Sequence, residues 1–189
     1  MMQEHVNRWT SEIDQLAATF IDEFGGLSED QLNWKPDAKS WSIAQNIDHL
    51  ITINQSYFPA IDAVRQGTHS TPLHGRIPFL VKFLGNTILA AVHPDRRKKM
   101  KTFPLWEPNQ SRVAGTILDD FERHQAELKE VIETMHPYLN GKTVIASPAS
   151  KMIVYTLDTA FDIIVTHERR HLEQAREVLR QLDMVNQQP

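Results

Sequence analysis

Close to the end of the chain stands the string His167-Glu168-Arg169-Arg170-His171. Successive residues of a helix advance by about 100°, so two histidines four apart share one face, one turn apart. With Ile164 at the centre of that face, Ile153, Leu157, Ala160, Phe161, Ala175, Val178, Leu179 and Leu182 fall on it as well. Asp162, Arg169, Glu173, Arg176, Glu177 and Arg180 fall opposite. His167 and His171 therefore sit inside an apolar stripe, with Glu168 near its edge. Polar groups on a buried stripe need partners, because burying them unpaired costs free energy. Two imidazoles at this spacing offer two nitrogen ligands to one divalent cation. The competing reading is a pair of hydrogen-bonded core histidines. A lone histidine would favour that reading; a pair one turn apart favours the metal.

A protein metal site needs a third ligand, and no histidine remains downstream of His171. Upstream, His49 lies at the margin of one helix's apolar face, and His124 lies near the Phe121 and Leu128 stripe of another. The helical pattern alone leaves both open. His5, His69, His74, His93 and His136 fall in termini, loops or helix ends and read as surface residues. The string at 167–171 also matches the His-Glu-x-x-His signature of zinc proteases, whose glutamate activates zinc-bound water. The extended form of that signature needs a glycine and a third histidine downstream, where Gln174 and Glu177 stand instead.

The elements that must carry these residues are helical. A first helix is expected over about Gln3–Phe24, with Val6, Trp9, Ile13, Leu16, Phe20 and Phe24 inside and Gly25-Gly26 at its end. Ser28 to Gln31 reads as a capping box opening a short turn, and Ser42 to Gln45 as another that opens a second long helix. Pro59 lies inside that helix and Gly67 ends it. A third long helix is expected over about Arg112–Met135 and a fourth over about Lys151–Leu182. Between the second and third, Phe79–Val92 is apolar on most sides and reads as a short buried helix or as a surface against a partner chain. Thr143 to Ala146 is a possible extended piece in the loop after the third helix. Four long amphipathic helices joined by longer crossovers make a four-helix bundle, an architecture that places metal sites between facing helices.

Composition narrows the function. The chain has 189 residues, enough for one domain spanning 1–189. It holds no cysteine, which excludes a disulfide framework, a thiolate zinc site and a cysteine nucleophile. A formal net charge of −4 argues against nucleic acid, so the basic run Arg96-Arg97-Lys98-Lys99 reads as a solvated loop. The N-terminus lacks the pattern of a signal peptide, and the apolar stretch at Phe79–Val92 is too short to span a bilayer. A cytoplasmic protein with no membrane partner is expected.

Two motifs together resemble a known family. Leu32-Asn33-Trp34-Lys35-Pro36 followed by Ser40-Trp41-Ser42-Ile43-Ala44-Gln45-Asn46-Ile47-Asp48-His49-Leu50 is similar to the first signature of the DinB-like (YfiT-like) family. His167 to His171 followed by Leu172 and Gln174 is similar to the second. The stretch from 66 to 112 matches neither. The resemblance implies a four-helix bundle of up-down-down-up arrangement with long crossover loops. It also implies a metal held by three histidines, which map to His49, His167 and His171, and so it favours His49 over His124. Three neutral imidazoles leave coordination positions open, the mark of a catalytic site, and they suit zinc or nickel. Relatives of this kind include transferases and isomerases that use low-molecular-weight thiols such as bacillithiol or mycothiol, besides metal hydrolases. The expected activity is attack of a metal-activated thiol or water on a small electrophilic substrate, by a homodimer. Glu168 is the catalytic candidate as general base; it reads equally as an acceptor for a ligand imidazole or as one half of a buried salt bridge with an arginine. The alternatives are a non-catalytic metal-binding or dimeric interaction module and, behind it, the protease.

Overall fold

The structure, a computed structural model, describes residues 2–95, 102–108 and 112–187. The basic run at 96–99 lies outside them. The chain is mostly helical, with one small hairpin. Helix α1 spans Met2–Phe24, α2 Glu29–Asn33, α3 Ile43–Arg65, α4 Pro78–Val92, α5 Ile117–Thr134 and α6 Leu157–Asn186; strands β1 (Val144–Ser147) and β2 (Ser150–Thr156) precede α6. Helix α1 packs on α5 and α6, and α3 packs on the same two. Helix α4 lies against β2 and α6, outside these four.

Local chemistry accounts for the boundaries. Both capping boxes form. In the second, the Gln45 amide donates to Ser42 Oγ at 3.1 Å and the Ser42 amide to Gln45 Oε1 at 3.3 Å, which fixes where α3 begins. Gly67 ends it with φ +69°, a left-handed turn that glycine adopts without strain. Thr156 caps α6 by accepting from the Thr159 amide at 3.2 Å. The core runs through the four long helices; Trp9, Phe20, Phe24, Ile47, Leu50, Phe121, Leu128, Leu157 and Phe161 are almost wholly enclosed. A smaller cluster of Val81, Val144 and Val154 seats α4 on the hairpin. Gly85 permits that approach, since a Cβ there would lie 3.0 Å from Thr159 Cγ2 and 3.2 Å from Tyr155 Cβ. No helix among the described residues is long and apolar enough to cross a membrane.

The expected elements need three corrections. The fourth helix begins at Leu157, and Lys151–Thr156 is strand, paired antiparallel with Val144–Ser147 so that Ile145 faces Tyr155. The run Ile153-Val154-Tyr155-Thr156 is β-branched and aromatic, and Thr156 supplies the cap that starts the helix late. Ile153 matched the helical stripe only because apolar residues fit both periods over so short a span. The third helix begins at Ile117, five residues after Arg112. Ahead of it, Asn33 holds Val113 in a loop through a reciprocal pair of bonds, Nδ2 to the Val113 carbonyl at 2.9 Å and the Val113 amide to Oδ1 at 2.7 Å. Arg112 meanwhile pairs with Glu29 and Asp30. Finally, His69, His74 and His136 are half-buried, and His69 Nε2 donates to the Val144 carbonyl at 2.7 Å.

Candidate metal centre

Helix α3 carries His49 and helix α6 carries His167 and His171; the packing of α3 on α6 brings them together. All three are buried, and one ring nitrogen from each lies within 4.8 Å of the others. His124 is also buried but stands outside this group, so the fold separates the two upstream candidates that helical phase left open.

The outer ring nitrogens fix how the inner ones point. His49 Nδ1 donates to the Trp106 carbonyl at 2.7 Å, since a carbonyl only accepts. His171 Nδ1 meets Asn46 Oδ1 at 2.7 Å. The orientation of that amide is set by Asn46 Nδ2, which donates to the Ser42 carbonyl at 2.8 Å, so Oδ1 faces the imidazole and Nδ1 carries the proton. Both rings are thereby held in the tautomer that leaves the Nε2 lone pair facing inward, the arrangement that orients metal-bound histidines. His167 Nε2 and His171 Nε2 face each other at 3.0 Å, near the edge of about 3.3 Å that bonds of ~2.0–2.1 Å subtend in a tetrahedral zinc site. Burial brings the His49 imidazole down to about 4 and holds those of His167 and His171 well below their ordinary value; mutual repulsion and the nearby Arg170 guanidinium add to it. All three rings are neutral near pH 7, the form in which histidine binds a metal.

Three neighbours complete the setting. Trp41 lies parallel to His171 at 5.9 Å, with 20° between the planes, and its ring sits 4.9 Å from that of His49. Trp106 Nε1 donates to Ser56 Oγ at 3.2 Å, tying the segment whose carbonyl receives His49 to α3. Arg170 Nη1 donates to the Ala91 and His93 carbonyls at 3.2 Å each, where a cation also suits the C-terminal end of α4. Asn46, Trp106 and Arg170 were not singled out from sequence. Asn46 lies one turn before His49 and inside the first motif, so it was within reach; the Trp106 contribution is a backbone carbonyl and leaves no mark on the residue type.

Glu168 is fully enclosed, and one oxygen of its carboxylate accepts from two side-chain amides. Asn54 Nδ2 donates to Oε1 at 2.7 Å and Gln125 Nε2 to the same oxygen at 2.9 Å. Among the described residues no arginine and no imidazole bonds to it. Burial pushes its carboxyl up to about 7, partly offset by the two amides. Glu168 thus joins α6 to α3 and α5 at the level of the histidines. Its Oε2, Asn54 Oδ1 and Gln125 Oε1 have no partner.

A family model for the DinB superfamily matches residues 12–175. The chain belongs to the DinB superfamily. It is also 26% identical over 162 residues, 85% of this chain and 91% of the other, to an uncharacterized Bacillus subtilis (strain 168) protein, YuaE. No solved structure was found to match. Within the superfamily match fall His49, His167, His171 and every side chain that orients them.

Proposed function

We propose that this DinB-superfamily chain is a metal-dependent enzyme whose three histidines, His49, His167 and His171, hold a divalent ion, zinc or nickel, and that its substrate is a small electrophile attacked by a low-molecular-weight thiol or by water. The four long helices are taken as the up-down-down-up bundle that frames such a site. One observation carries the reading: three buried neutral imidazoles from two helices converge, and the outer N–H groups of two are spent on a carbonyl and an amide oxygen. When bound, the metal supplies Lewis acidity and lowers the pKa of a thiol or water in an open coordination position.

The chain's own residues supply the rest. Asn46 and the Trp106 carbonyl set the rings and raise their donor strength. Trp41 shields His171 from one side. Glu168 acts as a clamp on α6 in this reading, since both its hydrogen bonds go to amides of α3 and α5. That placement also speaks against the protease alternative, which needs the glutamate beside a metal-bound water.

The test is metal analysis of untagged protein followed by an activity panel of small electrophiles with and without added thiols. About one metal per chain, and turnover lost on chelation and in His171→Ala, supports the proposal. A metal-free protein with an empty triad under zinc and nickel titration overturns it. A second reading, a dimeric interaction module, draws on the stacked and exposed Phe79 and Phe83 of α4. Stoichiometric metal with no turnover, together with a dimer in light scattering that Phe83→Lys disrupts, favours that reading.

A further inference from the structure

His124 is the buried histidine that the proposed function does not use. It is 3% exposed, and neither ring nitrogen has a hydrogen-bond partner. Its ring lines a cavity of about 290 Å³ between α3 and α5, together with Asp48, Ile51 and Gln55 from α3 and Asp120 and Glu127 from α5. Two orphaned nitrogens in one buried ring are costly unless something answers them.

The cavity wall carries three carboxylates, Asp48, Asp120 and Glu127, against one guanidinium, Arg123, which donates to Asp120 at 2.7 Å. Glu127 lies one turn after His124 on the same face, with Oε2 at 3.8 Å from Nδ1, too far for a hydrogen bond. Asp48 is half-buried in the same wall and forms no hydrogen bond or ion pair with the described residues. Asp120 is already engaged by Arg123 and Thr116. Among the described residues neither Arg123 nor Gln55 donates to His124, Glu127 or Asp48, and a cation entering the cavity answers all three. One nitrogen and two oxygens are the donors that borderline divalent ions accept, and a histidine and a carboxylate three apart on a helix recur as ligands in bundle cores.

We propose that the α3–α5 cavity is a second metal site, in which His124, Glu127 and Asp48 bind a divalent transition-metal ion. The ligand atoms of the three groups do not all lie within 4.8 Å of one another, so the His124 ring supplies its free nitrogen and the two carboxylates swing onto the ion, with no bond to a described residue to break. Burial holds His124 neutral, which suits the role. The site is separate from the 49/167/171 cluster, although Asp48 and His49 are adjacent in sequence and point to different neighbours.

The experiment is zinc titration of the full-length, metal-free protein by calorimetry, with bound metal counted by elemental analysis. His124→Phe keeps the ring volume beside Phe58, which stacks on His124 at 5.9 Å, and deletes both nitrogens. Asp48→Asn keeps the shape and removes a charged oxygen. The wild type is expected to bind one equivalent beyond that of the histidine triad. His124→Phe is expected to lose only the added equivalent, and Asp48→Asn to weaken it by at least about tenfold. His171→Ala is expected to retain it. A wild type saturating at the triad equivalent alone, or a His124→Phe protein that still binds the added one, overturns the proposal. Loss of the only bound metal in His124→Phe, with His171→Ala unaffected, would instead sink the triad reading and leave this one standing.

Discussion

Helix α3 faces two buried-histidine environments, and they differ in what surrounds the rings. Towards α6, His49 and His171 each spend an outer nitrogen on a fixed acceptor, so their inner nitrogens have one orientation. Towards α5, His124 is as deeply buried, yet neither nitrogen is engaged. Burial lowers the basicity of both groups and so does not distinguish them. Orientation does: in the first region the protein has set tautomer and direction before any ligand arrives, and in the second the ring waits on its surroundings. The lesson is that a ligand set is recognised by the acceptors behind it.

The comparison breaks most directly at His171. Alanine there removes one ligand and leaves Asn46 Oδ1 without its donor, so the triad is expected to lose its metal altogether, the affinity falling by more than about 100-fold. Competition with a coloured chelator measures this. Retention of triad-level affinity would mean that the convergent nitrogens are a hydrogen-bonded core after all.

Glu168 separates clamp from catalyst. In Glu168→Ala the Asn54 and Gln125 amides lose their common acceptor inside the core, at a cost of about 2–3 kcal/mol in urea unfolding. Glu168→Gln keeps an oxygen for them and is expected to recover most of that stability and any activity. A Glu168→Gln protein that folds as well as wild type, binds metal normally and has no turnover would return the base role to this residue.

Asn46 isolates the orienting effect from ligation. Asn46→Ala leaves all three imidazoles in place but frees the His171 ring to turn, and metal affinity is expected to fall roughly 10- to 100-fold. Asn46→Asp, which keeps an oxygen towards His171 Nδ1, is expected to lose less. Equal affinity in wild type and Asn46→Ala would deny that the acceptors behind the rings matter.

Much of this contrast was legible in the residues, and the reasons for the rest are physical. The stripe on α6 placed His167 and His171 inside the protein because a helix buried on one side repeats its apolar residues every three to four positions, and the capping boxes located the starts of α2 and α3. The strand at Lys151–Thr156 was hidden because six residues are too few to tell period two from period 3.6 when most are apolar. His49 and His124 could not be ranked by helical phase, since both are buried, and what separates them is which helix each one faces. The motif resemblance chose His49. The amide partners of Glu168 were beyond reach, because Asn54 and Gln125 meet it across 114 and 43 residues of chain.

The smallest expected effect has the opposite sign in the two regions. A satisfied buried polar group stabilises modestly, whereas an orphaned one costs its desolvation. In metal-free protein, His124→Phe removes two unpartnered nitrogens from beside Phe58 and is expected to leave stability unchanged or raise it by up to about 1 kcal/mol. The same replacement at His171 strips the donor from Asn46 and is expected to lower it. Saturating zinc sharpens the difference further, because an ion bound only by the folded state adds stability that grows with the logarithm of its concentration over Kd. If the α3–α5 cavity takes a metal, the gain from His124→Phe turns into a deficit relative to the zinc-loaded wild type, beyond whatever the triad contributes to both. Denaturant curves of both variants with chelator and with zinc make that reading. A His124→Phe protein that is destabilised without metal would show that the imidazole is already satisfied and that the contrast drawn between the two regions is false.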